Sequence, residues 1–334
     1  MSFVFDITRP LAAIVVGRAG MDLYPLPDGT ETESATQFAA EIGGSAGNTA
    51  VALSRQGHAV ALLGAFSDDP VGRFVRAHLA HYAVDTSRCR DISGNYRTSL
   101  AICETRYPDS ETVFYRNGAV DLQFSTEDFD SAFIGSAAIL IVTGTALAAE
   151  PSRTAALQAL DMARAARTFS ILDIDHRPVS WHSQDEAARI YADAAGRCDA
   201  IIGNDEEFAI IGGTKELALA AAAALVAKGC HFAIFKQGSA GSITITPEHT
   251  FKTGVFVIAV KKPFGAGDAF LGALVAALLH GAVLASAVER ASAAAAYVVS
   301  RRGCAFAMPT AAELDLFIKS HAMTMEDANA HSAL

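Results

Sequence analysis

The segment Gly265-Ala266-Gly267-Asp268 places an acid directly after small residues and directly before an apolar pattern typical of a helix, residues 269–279. Small residues let a ligand approach the backbone, and the free N–H groups at a helix N-terminus attract anions. Asp268 is therefore either a helix N-cap, for which Asp is a preferred residue, or a base held beside a phosphate. This segment alone leaves both interpretations open.

A second loop of small residues contains Gly43, Gly44 and Gly47 and is followed by Asn48. Its spacing matches neither G-x-G-x-x-G nor the G-x-x-x-x-G-K-[ST] of a P-loop, which argues against a nicotinamide-dependent dehydrogenase. Asn48 is either the N-cap of the next helix or an amide offered to a substrate hydroxyl. Upstream, Asp22 is either a solvated loop carboxylate or an acceptor for sugar hydroxyls.

The elements that must position these residues alternate between strands and helices. Strands are predicted at 11–16, 138–142, 169–173, 200–203, 232–236 and 255–260, with helices that include 154–167 and 215–228. This alternation indicates an α/β fold with a parallel sheet covered on both faces, and ligands bind such sheets at the carboxyl ends of the strands. Polar residues follow those ends at 143–145, 173–178, 204–207 and 236–238. We therefore expect one polar rim that includes Asp268.

Two further segments, 97–104 and 112–115, alternate polar and apolar residues, as half-exposed strands do. They suit a small sheet standing off the main one. Arg116 follows the second segment and is either a surface arginine or a bidentate ligand for a carboxylate.

Composition excludes several classes of protein. Of the 334 residues, 51% are hydrophobic and 19% are charged, and the net charge is −10 without a basic cluster, so nucleic acid is not an expected partner. The five cysteines contain no C-x-x-C, which favours free thiols in the cytoplasm. No signal peptide is evident. The apolar run 271–288 is interrupted at His280-Gly281, which favours a buried helix over a membrane span. Residues 321–334 lack any pattern and are predicted to be a flexible tail.

The two glycine-rich segments, in this order and with Asn204-x-x-Glu207, resemble the ribokinase-like carbohydrate kinases, the PfkB family. The resemblance runs from about residue 11 to 317. It implies a doubly wound, mostly parallel sheet flanked by helices in one domain, 1–320, with a small β-sheet lid from about 18–42 and 97–118. In this family the lid often serves as a homodimer interface.

The resemblance also implies roles for residues of this chain. Asp268 would be the catalytic base, and the backbone N–H groups of Gly265, Ala266 and Gly267 would form an anion hole for the transferring phosphate. A sensor without catalytic activity would normally have lost such a base. The implied reaction uses ATP and Mg²⁺.

Further family positions concern the nucleotide and the metal. Asn204 and Glu207 match the motif that holds Mg²⁺ through water, although Glu207 is also a first-turn acid that the helix dipole favours. Lys236, Gly238 and Gly241 match the loop that lies beneath ATP.

The substrate contacts implied by the resemblance are Asp22, Gly43, Gly44 and Asn48. Segments such as LDIDHRPVSW and KPFGAGDAF narrow the resemblance to kinases of a sugar acid, with other sugar kinases of the family as alternatives. Arg116 and Arg177 are therefore candidates for binding the carboxylate or a phosphate.

Two positions depart from the family pattern. Many members have Asp six residues before the base, where it helps to build a monovalent-cation site, whereas this chain has Lys262. A lysine repels K⁺, so we expect weak or no activation by this ion. Gly20 stands where ribokinases have an Asn that contacts the sugar, which argues against ribose as the substrate.

Overall fold

The computed structural model describes residues 1–324. The strands are β1 (Leu11–Val16), β2 (Gly20–Pro25), β3 (Phe38–Gly43), β4 (Val60–Leu63), β5 (Ala65–Ser67), β6 (Val84–Asp85), β7 (Arg90–Ile92), β8 (Leu100–Cys103), β9 (Thr112–Tyr115), β10 (Ala137–Thr143), β11 (Phe169–Asp173), β12 (Ala200–Asn204), β13 (Phe232–Lys236), β14 (Ser242–Ile245), β15 (Thr250–Thr253), β16 (Val255–Phe256) and β17 (Met323–Thr324). The helices are α1 (Ser45–Arg55), α2 (Pro70–His81), α3 (Ser131–Gly135), α4 (Ser152–Ala166), α5 (Gln184–Ala195), α6 (Asp205–Gly212), α7 (Ala218–Ala227), α8 (Ala266–Leu279), α9 (Leu284–Val299) and α10 (Ala311–Ser320).

The main sheet has nine strands in the order β15-β14-β13-β12-β11-β10-β1-β4-β6. All neighbouring strands from β13 to β6 in this order pair in parallel, whereas β14 and β15 pair antiparallel at one edge. The doubly wound, mostly parallel α/β architecture expected from the sequence is confirmed.

Hydrophobic clusters cover both faces of this sheet. Successive side chains of a strand point to opposite faces, so Ala13 and Val15 of β1 join one cluster while Ile14 and Val16 join the other. Helices α1, α8 and α9 contribute to the first cluster, and α4, α5 and α7 contribute to the second. Burial on both faces explains why β10 is buried along its whole length.

A four-stranded sheet in the order β3-β2-β8-β9 stands apart from the main one. Its strands lie within the segments 18–42 and 97–118 that the family resemblance implies for a small sheet, except that β3 extends one residue further, to Gly43. Strands β8 and β9 pair antiparallel, as do β2 and β3, while β2 and β8 are parallel.

The strand predicted at 255–260 is wrong beyond Phe256. Only β16 forms, and it pairs with β17 instead of joining the main sheet, whose edge is β15. The chain then turns toward the end of α9, because the backbone N–H of Lys261 donates to the carbonyl of Val299. Val257 is 65% exposed, so the apolar run is not a buried strand.

The C-terminal segment also departs from expectation. Residues 323–324 were expected in a patternless tail but pair with β16, and the rest of that predicted tail, 325–334, lies outside the described residues. The apolar run 271–288 divides into α8 and α9 around Gly281, whose φ is +81°. Within residues 1–324, no helix has the length and apolar character needed to cross a bilayer. All five cysteines are free and buried.

Candidate active site

Asp268 lies in the first turn of α8, at its third residue, and is half-buried. The N-cap position belongs to Gly265, so the interpretation of Asp268 as an N-cap is wrong. Gly265 has φ +83°, and a methyl group there would lie 3.0 Å from Cys304 Sγ, so this entry to the helix requires glycine. The N–H groups of Ala266 and Gly267 begin the helix and have no intrahelical partner. They form the anion-attracting end of α8.

Asn48 is the partner that the fold brings to Asp268. Its Nδ2 donates a hydrogen bond to Asp268 Oδ2 at 2.8 Å, across 220 positions in the chain. The N-cap of α1 is Gly44, with φ +86°, so the interpretation of Asn48 as an N-cap is also wrong. The amide lies instead in the first turn of α1, with Oδ1 buried and unpartnered among the described residues.

The pKa of Asp268 is raised to about 6. Burial is the main cause, and the neighbouring charge of Asp175 acts in the same direction. The hydrogen bond from Asn48 and the charges of Arg177 and Lys236 oppose the shift. This carboxylate is therefore ionised at neutral pH but is a stronger proton acceptor than an ordinary aspartate.

Asp22 lies on β2 with 6% of its surface exposed, so the interpretation as a solvated loop carboxylate is wrong. Its carboxylate packs against the loop before α1, since a methyl group on Gly43 would lie 1.8 Å from Asp22 Oδ1. Burial raises the pKa of Asp22, and the charge of Arg18 lowers it. Gly44 packs against the carbonyl of Arg18 in the same way.

Two ion pairs lie at or just beyond the carboxyl ends of β11 and β13. Lys236 Nζ lies 3.7 Å from Asp173 Oδ1, and it stands 3.5 Å from the position that a methyl group on Gly267 would take. The ammonium therefore faces the N-terminus of α8. Burial raises the pKa of Asp173 to about 7, against the opposing charge of Lys236. Arg177 Nη2 pairs with Asp175 Oδ1 at 2.7 Å.

Asn204 and Glu207 form a capping box at the start of α6. Asn204 Oδ1 accepts the N–H of Glu207 at 2.8 Å, and Glu207 Oε2 accepts the N–H of Asn204 at 2.7 Å. Glu207 Oε1 accepts the N–H of His176 at 3.3 Å. Because both carboxylate oxygens already accept backbone hydrogen bonds, this pair fits a magnesium ion held through water, not by direct ligation. Among residues 1–324, no cluster of three or more His, Cys, Asp or Glu could hold a metal alone.

Space for a ligand lies beside these strand ends. A cavity of about 360 Å³ is lined by residues that include His176, Arg177, Trp181, Asn204 and Glu207. A larger hollow of about 640 Å³ lies elsewhere, around α5 to α7, and contains none of the predicted site residues. The candidate site is therefore the region around the smaller cavity, because predicted polar residues lie there and not beside the larger hollow.

The loop after β13 contains the two glycines matched to the nucleotide loop. Gly238 has φ +58° with no neighbour near a methyl position, so its surface is open. Gly241 has φ +85°, and a methyl group there would lie 2.1 Å from the carbonyl of Thr253. Only glycine fits this tight turn.

Arg116 is anchored within the protein, so the interpretation as a surface arginine is wrong. Its side chain is 9% exposed and pairs with buried Asp121. It also donates to Ser180 Oγ at 2.6 Å and to the carbonyl of Thr145 at 3.2 Å. Both terminal nitrogens of Arg116 therefore donate to the protein, and Nε is left without a partner among the described residues.

The sequence analysis assigned no role to two residues of the site and only a limited one to a third. Arg18 follows β1, and its guanidinium is buried with Nη1 unpartnered among the described residues. Asp175 was noted only as part of the rim, and its buried Oδ2 likewise has no partner in that part of the chain. Lys262 is fully buried and was expected to affect only the response to K⁺. Arg18 follows the carboxyl end of β1. The expectation that polar residues after such strand ends line the ligand site therefore applies to Arg18 as well.

The arrangement brings together a carboxylate with a raised pKa, an anion-attracting helix end and the nearby cation Lys236, which are groups that phosphoryl transfer requires. A pfkB family carbohydrate kinase model matches residues 12–311. The 5-dehydro-2-deoxygluconokinase of Photobacterium profundum is 40% identical over 319 residues, covering 93% of this chain and 96% of the relative. The enzyme of the same name from Geobacillus kaustophilus is 36% identical over 328 residues, covering 96% and 98%.

The fold agrees with this similarity. The crystal structure of a PfkB protein from a Polaromonas strain superposes with a TM-score of 0.80 at 25% identity, covering 91% of this chain and 99% of that one. Because the family model spans most of the chain and the relatives match nearly end to end, this protein belongs to the pfkB family of carbohydrate kinases.

Proposed function

We propose that this kinase transfers the γ-phosphoryl group of ATP to the 6-hydroxyl of 5-dehydro-2-deoxy-D-gluconate, giving the 6-phosphate and ADP. The main observation that supports this proposal is the hydrogen bond between Asn48 and Asp268 at the N-terminus of α8. A candidate base therefore lies beside a candidate anion site. The relatives named for this substrate support the choice of sugar acid. This activity would belong to bacterial myo-inositol catabolism.

Asp268 acts on the attacking hydroxyl. A sugar hydroxyl has a pKa far above 6, so Asp268 does not deprotonate it before transfer. It accepts a hydrogen bond from the hydroxyl, orients the oxygen and takes the proton late, as the bond to phosphorus forms in a loose transition state. General-base assistance of this kind contributes about 10²–10⁴-fold to the rate.

The N–H groups of Gly265, Ala266 and Gly267 stabilise the transferring phosphoryl group. They are directed by the turn at Gly265 and carry the partial positive charge of α8. Lys236 Nζ adds a full charge on the same side, beside Gly267. Donors fixed before the reaction stabilise developing charge without reorganising.

The nucleotide lies over the loop after β13 in this proposal, with Gly238 and Gly241 beneath it and Lys236 and Asn204 beside its phosphates. Glu207 and Asn204 hold Mg²⁺ through water, in agreement with the engagement of the Glu207 oxygens by backbone N–H groups. When bound, Mg²⁺ neutralises charge on the phosphates.

The sugar lies between the loop before α1 and the small sheet. Asp22 and the Asn48 amide offer polar groups to its hydroxyls, while Gly43 and Gly44 keep the backbone open. The acids Asp175, Glu207 and Asp268 raise the pKa of Arg177, and Asp175 has the largest effect. Because Glu207 and Asp268 belong to the part of the site that would bind the phosphates, we assign Arg177 to that part as well. Arg116 lies on the sugar side, where its bonds to Asp121 and Thr145 hold it in place.

The small sheet acts as the lid and as the interface of a homodimer. Val113 and Tyr115 of β9 are 44% and 58% exposed, and Phe38 of β3, on the same face of the sheet, is 38% exposed, so this face presents an apolar surface that the described residues leave uncovered. Light scattering should give the mass of a dimer, and Val113→Lys with Tyr115→Lys should give a monomer. The five buried free thiols agree with a cytoplasmic enzyme.

The activity is tested with a panel of acceptors at fixed ATP and MgCl₂: 5-dehydro-2-deoxygluconate, 2-keto-3-deoxygluconate, fructose and ribose. We expect the first acid to have the highest kcat/KM, with formation of a 6-phosphate detected by ³¹P NMR. Asp268→Asn, prepared in parallel, measures contaminating kinases. A higher kcat/KM for fructose or ribose would refute the sugar-acid assignment.

A further inference from the structure

Arg18 is a buried cation without a partner. The residue is 6% exposed, and Nη1 is fully enclosed without a hydrogen-bond acceptor among residues 1–324. No carboxylate in that range lies close enough to form an ion pair with it. A guanidinium stays charged and carries five N–H donors, so burying it unpaired is costly unless an anion arrives from outside.

Three other cations near the site each have a carboxylate partner. Arg116 pairs with Asp121, Arg177 with Asp175 at 2.7 Å, and Lys236 with Asp173 at 3.7 Å. The pKa of Arg18 is lowered from its usual value by burial and then by the charge of Arg116, and the charges of Asp121, Asp22 and Asp175 oppose this shift without forming an ion pair with Arg18. Lys262 also lacks a carboxylate partner, but its Nζ donates to the carbonyl of Phe264. The guanidinium of Arg18, in contrast, makes no hydrogen bond among the described residues and so has donors available for a ligand.

The position of Arg18 belongs to the sugar side of the site. Its carbonyl accepts the N–H of Gly47 at 3.2 Å, in the loop that leads to Asn48. Its guanidinium lies 5.8 Å from the ring centre of Phe114, on strand β9 of the lid. The carboxylates that raise its pKa are Asp121, Asp22 and Asp175. The cations that lower the pKa of Asp268 are instead Arg177 and Lys236.

We propose that Arg18 binds the carboxylate of the sugar acid, with two N–H groups donating to the two oxygens. The proposal rests on the proposed function, because that substrate has its carboxylate and its accepting hydroxyl at opposite ends of one carbon chain. The planar fork of arginine matches a carboxylate in this bidentate geometry. A neutral sugar would leave the guanidinium buried and unpaired, so Arg18 would also reject neutral sugars.

The first test compares the sugar acid with its C1 amide, which keeps the shape and removes the charge. We expect the wild type to prefer the acid by roughly 10²–10³-fold in kcat/KM, the range found when one partner of a buried charge pair is removed. Arg18→Gln should reduce this preference to less than about tenfold. Arg18→Lys should keep part of it, because a point charge remains without the planar fork. The KM for ATP should stay the same.

The second test measures thermal unfolding. Removing an unpaired buried cation should leave the Tm of the unliganded Arg18→Gln protein equal to that of the wild type or above it. The sugar acid should raise the Tm of the wild type but not that of Arg18→Gln, while ATP should raise both. A purely structural arginine would give a lower Tm instead.

Arg153→Gln is the matched control. This half-buried arginine pairs with Glu186 at 2.9 Å and donates to the carbonyls of Leu147 and Ala148, so its charge is compensated within the protein. It should lower the Tm and leave the preference for the acid intact. The two arginines therefore separate a structural role from a substrate-binding role.

The outcomes separate the two proposals. If Arg18→Gln retains the preference for the acid, or raises the KM for ATP alone, the assignment of Arg18 is overturned while the proposed function stands. If the wild type prefers another sugar acid, the proposed substrate is wrong. Comparing kcat/KM for that acid and its amide then tests the role of Arg18 in the same way. If the wild type accepts neutral sugars only, both proposals fall.

Discussion

Gly272 of α8 lies so close to Ala52 of α1 that a methyl group on Gly272 would stand 2.4 Å from Ala52 Cβ. Each of these residues is one helical turn beyond a site residue, since Asp268 and Asn48 lie four positions earlier. The close approach of the two helices therefore places the Asn48 amide within 2.8 Å of the Asp268 carboxylate. A packing contact in the core thus determines a hydrogen bond in the site.

Gly272→Ala should separate α1 from α8 and lengthen the bond between Asn48 and Asp268. We expect kcat to fall by about tenfold or more, because a misplacement near 1 Å costs up to about 10²-fold. Overpacking should also lower the free energy of unfolding by about 1–3 kcal/mol. Gly135→Ala on α3 is the control, since its methyl group would lie 3.4 Å from Ala166 Cβ. Equal kcat in both variants would contradict the coupling.

Asp268→Asn should fold and bind ATP but lose at least about 10²-fold in kcat, because the amide cannot accept the proton. The raised pKa of Asp268 favours the protonated form in the folded state, so this group stabilises the fold at low pH and that stabilisation is lost as pH rises through about 6. The variant should therefore be more stable than the wild type above pH 6, by about 2–3 kcal/mol, and equal to it near pH 4. Urea unfolding at both pH values measures this difference, and unchanged turnover would remove Asp268 from catalysis.

The pH dependence of kcat/KM should report the ionisation of Asp268 in the free enzyme. We expect kcat/KM to fall on the acid side of about pH 6, because the protonated carboxyl cannot accept the hydroxyl proton. Asn48→Ala should move this acid limb to higher pH, because its hydrogen bond lowers the pKa of Asp268.

Asp173 is the second group that could produce such a limb, because burial raises its pKa to about 7. Asp173→Asn distinguishes the two carboxylates. If the limb disappears in Asp173→Asn and stays in place in Asn48→Ala, then Asp173 is the group that titrates.

Lys262 should make the enzyme independent of K⁺. The side chain is fully buried, and its Nζ donates to the carbonyl of Phe264 at 2.5 Å, one residue before the turn at Gly265. A positive charge already lies beside this loop and repels a second cation. Exchanging KCl for NaCl or choline chloride at equal concentration should therefore change kcat by less than about twofold, since the exchange leaves the ionic strength and the screening of exposed charges unchanged.

Lys262→Ala provides the counterpart to the salt experiment. Removing the ammonium leaves the carbonyl of Phe264 without its donor, and kcat should fall by about tenfold. Added NH₄⁺ should restore part of the lost activity. A large rise in wild-type kcat with K⁺ would contradict the assigned role of Lys262.

Local sequence patterns determined much of the framework. The strands Leu11–Val16, Phe169–Asp173 and Phe232–Lys236 form within the predicted bounds, because burial on both faces of a parallel sheet demands continuous apolar runs. The sequence also showed that polar residues follow the ends of these strands. In a parallel sheet, ligands bind at the carboxyl ends of the strands, so these residues were expected at the site. The strand predicted at 255–260 was wrong, since its apolar pattern carries no information about the partner that each strand finds.

Only the tertiary structure decided how the site residues are connected. Gly44 and Gly265, both with positive φ, are the N-caps of α1 and α8, so both helices begin earlier in the chain than predicted. Asn48 and Asp268 therefore lie inside the first turns. Whether an arginine is paired likewise depends on residues distant in the chain. Arg116 found Asp121, whereas Arg18 found no carboxylate among the described residues. Residue types are local information, but burial and charge compensation arise only when distant segments pack together.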